Sequence, residues 1–110
     1  MKIRKMESSD ITSSSIVHRE SFIRQKLSME WITCLYNSFP RSMCYVAEIE
    51  EAIAGYIIWT QKSGFRNEVV LELEQIAVHP EYRNKGIARN LIQVSLSLVK
   101  GELSKMASSL

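Results

Sequence analysis

The sequence has few cysteines and little net charge, and each shortage excludes a class of protein. Cysteine occurs only twice in 110 residues, at Cys34 and Cys44, and this spacing matches no metal-binding motif. Two cysteines are also too few for the disulfide framework of a small secreted domain. The formal net charge is +2, which is too small to attract nucleic acid by bulk electrostatics. We therefore predict no metal and no nucleic-acid partner, and any anion site must be local.

Long apolar segments are also missing. The N-terminal residues MKIRKMESSD are partly basic but lack the apolar core of a signal peptide. No apolar run approaches the length of a membrane span. Apolar residues make up 45% of the chain and charged residues 24%, which is typical of a globular protein with one small domain. The prediction is a cytoplasmic protein that does not bind a membrane.

The spacing of the apolar residues predicts an α+β fold in the order β-α-α-β-β-β-α. Two segments with helical spacing follow a short first strand, and Pro40 ends the second of them. A Glu50-Glu51 turn joins the next two strands as an antiparallel hairpin, and a polar loop over 61–67 precedes the last strand. Gly101 is the predicted end of the last helix, which leaves 101–110 as a tail or a short terminal helix. The predicted bounds are 1–6, 10–24, 28–39, 43–50, 52–60, 69–78 and 86–100.

The last predicted strand changes phase in its middle. Val69, Leu71 and Leu73 share one parity, whereas Ile76 and Val78 have the other. One extra residue near Glu74-Gln75 would bring both sets onto one face, as a β-bulge does. A strand buried on both faces at its end is the alternative. Bulges are common beside active sites, so this position is of interest for function.

The most informative stretch runs from Leu71 to Ile92, with the sequence LELEQIAVHPEYRNKGIARNLI. It predicts a strand, a His-Pro turn, a basic loop and an amphipathic helix. The first amides of a helix have no intrahelical acceptor and attract anions, and Gly86 leaves room for a phosphate beside the backbone. No Lys-Ser/Thr pair follows Gly86, as a nucleotide-binding P-loop would require. The predicted apolar face of the helix consists of Ile87, Leu91, Val94 and Leu98.

Residues 83–88, RNKGIA, fit the pattern Gln/Arg-x-x-Gly-x-Gly/Ala and follow the segment IAVHPEY. This combination closely resembles the coenzyme A loop of the GNAT superfamily of acetyltransferases. The order of elements is similar over about residues 1–100, although only 71–92 is specific. The resemblance implies a GNAT-like acyl-CoA-binding domain over 1–100, with a mixed, mainly antiparallel sheet flanked by helices.

The resemblance also implies a role for each matching residue. Acetyl-CoA is the expected co-substrate, and an amine is the expected acceptor. The backbone of Ile76, Ala77 and Val78 is expected to bind the pantetheine arm. The loop amides are expected to bind the pyrophosphate, and they belong to Arg83, Asn84, Lys85, Gly86, Ile87 and Ala88.

In such enzymes the amine attacks the thioester directly, and a general base takes its proton. Glu72 and Glu74 are the candidate bases, and a carboxylate needs desolvation to raise its pKa for this task. The alternative is that both glutamates line a solvated face of the strand. His79 lies in the turn, where the family often has a histidine without a catalytic role.

The sequence departs from the family pattern after the last predicted helix. Relatives usually continue with a strand, a further helix and a hairpin, and that part commonly supplies a tyrosine as general acid. Here no tyrosine follows Tyr82. We expect a C-terminally truncated form, with an exposed strand edge that favours self-association as a dimer. The predicted function is an N-acetyltransferase, and the alternative is a non-catalytic module that binds coenzyme A or a partner protein.

Overall fold

The computed structural model describes residues 1–62 and 69–108, with the side chain of residue 108 excepted. The element order is β-α-α-β-β-β-α, as predicted, and two short 3-10 turns lie at Ser8–Asp10 and Pro80–Tyr82. The predicted loop over 61–67 falls mostly outside the described residues. The bounds are β1 Lys2–Lys5, α1 Ile11–Ser21, α2 Ser28–Tyr36, β2 Ser42–Ile49, β3 Ala52–Gln61, β4 Leu71–Val78 and α3 Ile87–Ser108.

The four strands form one antiparallel sheet in chain order, β1-β2-β3-β4. The β2–β3 hairpin turns at Glu50 and Glu51, whose φ angles of 48° and 68° are typical of a type I′ turn. The predicted antiparallel hairpin is confirmed. Because β4 is last in the order, one of its edges has no partner strand in the described part of the chain.

The β-bulge predicted in the last strand is confirmed. Ile58 is opposite Gln75 and Trp59 is opposite Leu73, so Glu74 has no partner on β3. As a result Leu71, Ile76 and Val78 all pack against the same apolar cluster despite their different parity in the sequence. The extra residue therefore keeps Leu71, Ile76 and Val78 on one face of the sheet.

Each face of the sheet carries its own core. The face under α3 and the face under α1 and α2 are filled by alternate residues of the same strands, since side chains of a strand point to opposite sides in turn. The first cluster includes Met43, Tyr45, Ile57, Trp59, Leu91 and Val99. The second includes Val17, Ile32, Val46, Tyr56, Ile58 and Ala77.

The predicted apolar face of α3 is partly wrong. Ile87 and Leu91 are buried as predicted, but Val94 and Leu98 are each 41% exposed, and the buried stripe continues through Ser95 and Val99 instead. Residues four apart advance by about 40° around a helix. The buried stripe therefore consists of Ile87, Leu91, Ser95 and Val99. The stripe could not be recognised from the sequence because Ser95 is polar. Its hydroxyl can be buried because it accepts a 2.9 Å hydrogen bond from the Trp59 indole.

The predicted end of the last helix at Gly101 is also wrong. The helix continues through Gly101 to Ser108, although a glycine inside a helix costs about 1 kcal/mol relative to alanine. Leu103 and Met106, beyond the glycine, pack against the core under α3. Lys5 of β1 also forms an ion pair of 3.2 Å with Glu102. These contacts hold the last turns of the helix to the sheet.

Two polar groups with displaced pKa values lie where α1 meets its neighbours. The Arg4 guanidinium binds both carboxylate oxygens of Asp10, at 2.7 and 2.9 Å, and this holds the pKa of Asp10 below its ordinary value. His18 is fully buried, and its Nδ1 lies 2.7 Å from the hydroxyl of Ser28 in α2. Burial lowers the pKa of His18, because the charged form loses its hydration.

No helix in residues 1–62 and 69–108 is long and apolar enough to cross a membrane. Over the same residues, no group of three or more His, Cys, Asp or Glu side chains is arranged to hold a metal ion.

We predict that folding stability falls as the pH drops below the ordinary histidine value of 6.5, because the unfolded chain then binds a proton that buried His18 resists. The loss cannot exceed about 1.4 kcal/mol per pH unit. Urea unfolding between about pH 7 and about pH 5 measures it. His18→Gln should flatten this dependence, whereas His79→Gln should leave it in place. An unchanged slope in the His18 variant would contradict the prediction.

Candidate functional site

The open edge of β4 presents backbone groups to solvent. The amide of His79 donates to the carbonyl of Ala54 at 2.8 Å, so this position faces β3. Successive residues of a strand point their backbone groups to opposite edges. The backbone of Ala77 therefore faces β3, and the N–H and C=O groups of Ile76 and Val78 face the open edge.

Gly55 makes the packing behind this edge possible, and it is not among the residues predicted from sequence. A Cβ atom at this position would lie 2.7 Å from the Ala77 carbonyl oxygen and 3.3 Å from Cδ1 of Leu91. Real Cβ atoms do not approach backbone this closely, so β3, β4 and α3 can meet here only around a glycine. The available signal was a glycine inside a strand, which often marks close backbone approach.

The turn after β4 is fixed by His79. Its Nδ1 accepts a 3.2 Å hydrogen bond from the Glu81 amide, and its carbonyl accepts a 2.8 Å bond from the Tyr82 amide. The His79 and Tyr82 rings meet edge to face, with their centroids 6.2 Å apart. These contacts give His79 a structural role in the turn.

The loop between the turn and α3 contains two residues in the left-handed region. Asn84 has a φ of 63° and Gly86 a φ of 75°, and asparagine and glycine are the residues that adopt this conformation most easily. The Gly86 carbonyl accepts from the Asn90 amide at 3.2 Å, as the first hydrogen bond of the helix. The amides of Ile87, Ala88 and Arg89 therefore have no intrahelical acceptor. A Cβ at Gly86 would meet no atom within 4 Å, so the space beside it is open.

An open pocket of about 400 Å³ lies between the end of β4, the turn and the start of α3. Arg83, Lys85 and Arg89 are exposed around it, and the Lys85 ammonium lies 5.8 Å from the centre of the Tyr82 ring. Free amides, the positive end of the helix dipole and three cations together suit a phosphorylated ligand. The pocket is lined by Val78, Tyr82, Arg83, Asn84, Gly86, Ile87, Ala88 and Arg89.

The structure brings most of the predicted coenzyme residues together. Six of them line the pocket, and Lys85 borders it. Ile76 and Ala77 lie just upstream on β4, where Ala77 is buried. The side chain of Ile87 is also buried, so only its backbone is available to a ligand.

The two candidate bases lie in the first half of β4, away from the pocket at the end of the strand. Glu72 is opposite Thr60, and it therefore shares the sheet face that carries α1 and α2. Its side chain is 53% exposed and lies 3.7 Å from the Lys62 ammonium. Glu74 is the bulged residue and is exposed. Neither carboxylate is in the desolvated setting that a general base needs. The distance from Glu72 to Val78 along the strand is about 20 Å.

A hydroxyl group reaches β4 beside the bulge, which the sequence did not predict. Tyr56 of β3 is fully buried, and its hydroxyl donates a 2.7 Å hydrogen bond to Oε1 of Gln75. Burial raises the pKa of Tyr56, so its hydroxyl stays protonated. Gln75 is opposite Ile58 and therefore shares the face of Glu72. This contact joins residues 19 positions apart, and sequence spacing gave no signal for it.

The strand, turn and loop just described match a known family. The model of the acetyltransferase (GNAT) family matches residues 11–107 of the chain. The chain belongs to the GNAT acetyltransferase family. No curated protein sequence matches it.

Solved structures of GNAT-family acetyltransferases share the fold. A ribosomal-protein-alanine N-acetyltransferase from Brucella melitensis is 17% identical, with a TM-score of 0.75 over 92% of this chain and 73% of that one. A GNAT family acetyltransferase from Brucella melitensis, solved with acetyl-CoA, is 22% identical, with a TM-score of 0.76 over 92% and 69%. An aminoglycoside 6'-N-acetyltransferase from Acinetobacter haemolyticus is 15% identical, with a TM-score of 0.73 over 92% and 72%.

We predict that Gly55→Ala destabilises the fold by about 1–3 kcal/mol, the usual cost of an overpacked contact. The added methyl group would push the Ala77 carbonyl, and with it the end of β4, away from β3. Urea unfolding at neutral pH measures the change.

Gly101→Ala is the matched control, because a Cβ there meets no atom within 4 Å and alanine favours the helix by up to about 1 kcal/mol. A Gly55 variant as stable as the wild type would show that β3 and β4 are not held this closely.

Proposed function

We propose that this GNAT-family chain is an N-acetyltransferase that transfers the acetyl group of acetyl-CoA to a primary amine. The observation that carries the proposal is the continuity of the outward-facing edge of β4 with the cationic loop that opens α3. Coenzyme A has a pyrophosphate at one point and a long arm with two amide groups ending in the thiol. The described residues fit both parts, since one end of the site has the free amides and cations that suit an anion and the other offers an unpaired strand edge.

In this proposal the amides from Asn84 to Arg89 bind the pyrophosphate, with Lys85 and Arg89 adding charge. The backbone groups of Ile76 and Val78 hold the pantetheine arm as an added strand would be held. A ligand that starts at the loop and follows β4 for about 20 Å reaches the height of Glu72. The arm would thus place its thioester near the bulge, where the candidate bases lie.

Glu72 or Glu74 is the proposed general base. The carboxylate takes a proton from the attacking amine, the amine nitrogen bonds to the thioester carbon, and the carbon–sulfur bond breaks to release the thiolate. Arrival of the arm and of the acceptor would remove water from Glu72, which is half in solvent without them. Acetyl-CoA supplies the activated acyl group, and the chain supplies position and the proton acceptor.

The second candidate is a non-catalytic module that binds coenzyme A or a partner protein. The exposure of both glutamates favours it, because neither carboxylate is held in a desolvated pocket. The two candidates share the coenzyme site and differ in turnover, so one set of measurements separates them.

Calorimetric titration with acetyl-CoA and CoA tests the coenzyme site, and release of free thiol with a panel of amines tests turnover. The panel should include an aminoglycoside and a peptide with an N-terminal alanine, which are the acceptor types named for solved relatives. We expect binding, and Gly86→Leu should abolish it, because a bulky side chain would fill the space beside the loop amides. Glu72→Gln or Glu74→Gln should lower turnover and leave the affinity for acetyl-CoA unchanged.

Absence of binding to the wild-type chain would refute the coenzyme site. Binding without turnover on any amine would favour the module. An unchanged affinity in the Gly86 variant would show that the loop is not the pyrophosphate site. The Gly101→Ala variant serves as the control, since its substitution lies in the same helix but away from the pocket.

We also propose that the chain self-associates through the open edge of β4, in competition with the pantetheine arm for the same backbone groups. An unpaired edge is a template for pairing with another chain, and Val94 and Leu98 expose apolar surface on α3. Light scattering after size exclusion should show a dimer at high protein concentration, and saturating acetyl-CoA should shift it toward the monomer, because the pantetheine arm and a partner strand need the same edge. A wild-type chain that stays monomeric at all accessible concentrations would contradict this proposal.

A further inference from the structure

Arg83 crosses the open edge of β4 where that edge meets the loop. Its Nε donates a hydrogen bond of 3.2 Å to the carbonyl oxygen of Val78. Its Nη2 lies 3.5 Å from the hydroxyl of Ser21, at the end of α1. The guanidinium thus occupies a backbone acceptor of the edge, although the side chain also belongs to the lining of the anion pocket.

The Val78 carbonyl is one of only two outward-facing acceptors in the last three residues of β4. The other belongs to Ile76, since the backbone of Ala77 faces β3. A ligand that binds as an added strand needs these acceptors for its own amide groups. While Arg83 holds Val78, such a ligand loses one of the two.

We propose that Arg83 is a specificity-determining residue that makes binding of the pantetheine arm depend on the pyrophosphate. The inference rests on the proposed function, since it assumes that coenzyme A occupies this site. An anion on the loop draws the guanidinium away from Val78 and thereby frees the edge. The chain would then discriminate between coenzyme A thioesters and small thioesters without phosphate.

The direction of the exchange follows from the strength of the two contacts. A guanidinium binds phosphate through charge-assisted, often bidentate hydrogen bonds, which are stronger than one bond to a neutral carbonyl. Arg83 therefore gains by leaving Val78 when a phosphate is present, and it has no such alternative when the loop is empty. Lys85 is a suitable comparison, because it also contributes charge but lies over the Tyr82 ring instead of on the edge.

The experiment compares wild type, Arg83→Met, Lys85→Met and Ser21→Ala, with pantetheine and inorganic pyrophosphate as separate probes. NMR titration suits these weak fragments, and calorimetry measures coenzyme A itself. In the wild type, saturating pyrophosphate should strengthen pantetheine binding by about three- to tenfold, the range of one net hydrogen bond. In Arg83→Met, pantetheine alone should bind tighter by the same factor, and pyrophosphate should no longer affect it.

Lys85→Met should weaken pyrophosphate and coenzyme A binding but keep the coupling between the fragments. Ser21→Ala should also tighten pantetheine binding, but by less than Arg83→Met. Because it leaves Arg83 in place, it tests the inference even if Arg83→Met does not fold. If coenzyme A binds the wild type and Arg83→Met leaves pantetheine affinity unchanged or weaker, this inference is overturned while the proposed function stands. If coenzyme A fails to bind the wild type, both are overturned.

Discussion

The extra residue in β4 is the constraint on which the rest of the site depends. With Glu74 bulged out, Leu71 before it and Ile76 and Val78 after it all face the core under α3. The same shift sets which backbone groups of the strand meet β3 and which meet the open edge. The open edge, the turn and the loop follow one another without interruption in the chain. The register of β4 against β3 therefore sets the position of the end of the strand, the turn and the loop before α3. A strand in regular register would turn one of its two apolar sets toward the face that carries α1 and α2.

Packing on both faces of the sheet holds this arrangement in place. The indole of Trp59 crosses to Ser95 on α3, and Gly55 lets α3 and β4 approach the same point of β3. On the opposite side Arg4 binds both Asp10 and Glu48, at 2.7 and 2.8 Å. One guanidinium thereby joins β1, β2 and the start of α1. The site consequently lies on elements that are fixed by contacts distant from it.

The sequence predicted the features that arise from local pattern. The order of elements, the hairpin turn and the bulge all followed from residue spacing and turn chemistry. The errors on α3 have a different origin. Ser95 is polar yet buried because Trp59 needs an acceptor, and Gly101 stays helical because Leu103 and Met106 pack beyond it. Gly55, the Tyr56–Gln75 pair and the contact from Arg83 to Val78 depend on the tertiary structure. The choice between Glu72 and Glu74 could not be made from sequence, since it depends on what covers the strand.

The loop before α3 offers a ligand its main chain more than its side chains. Only Asn84 and Gly86 have positive φ angles that restrict which residue can occupy their positions, and any residue except proline supplies an amide N–H elsewhere in the loop. A scan of substitutions that measures folding stability should therefore find a narrow choice at these two positions and a wider one at the exposed Lys85 between them. A site made of main-chain groups places few constraints on residue identity. This is consistent with solved relatives at 15–22% identity and TM-scores of 0.73–0.76.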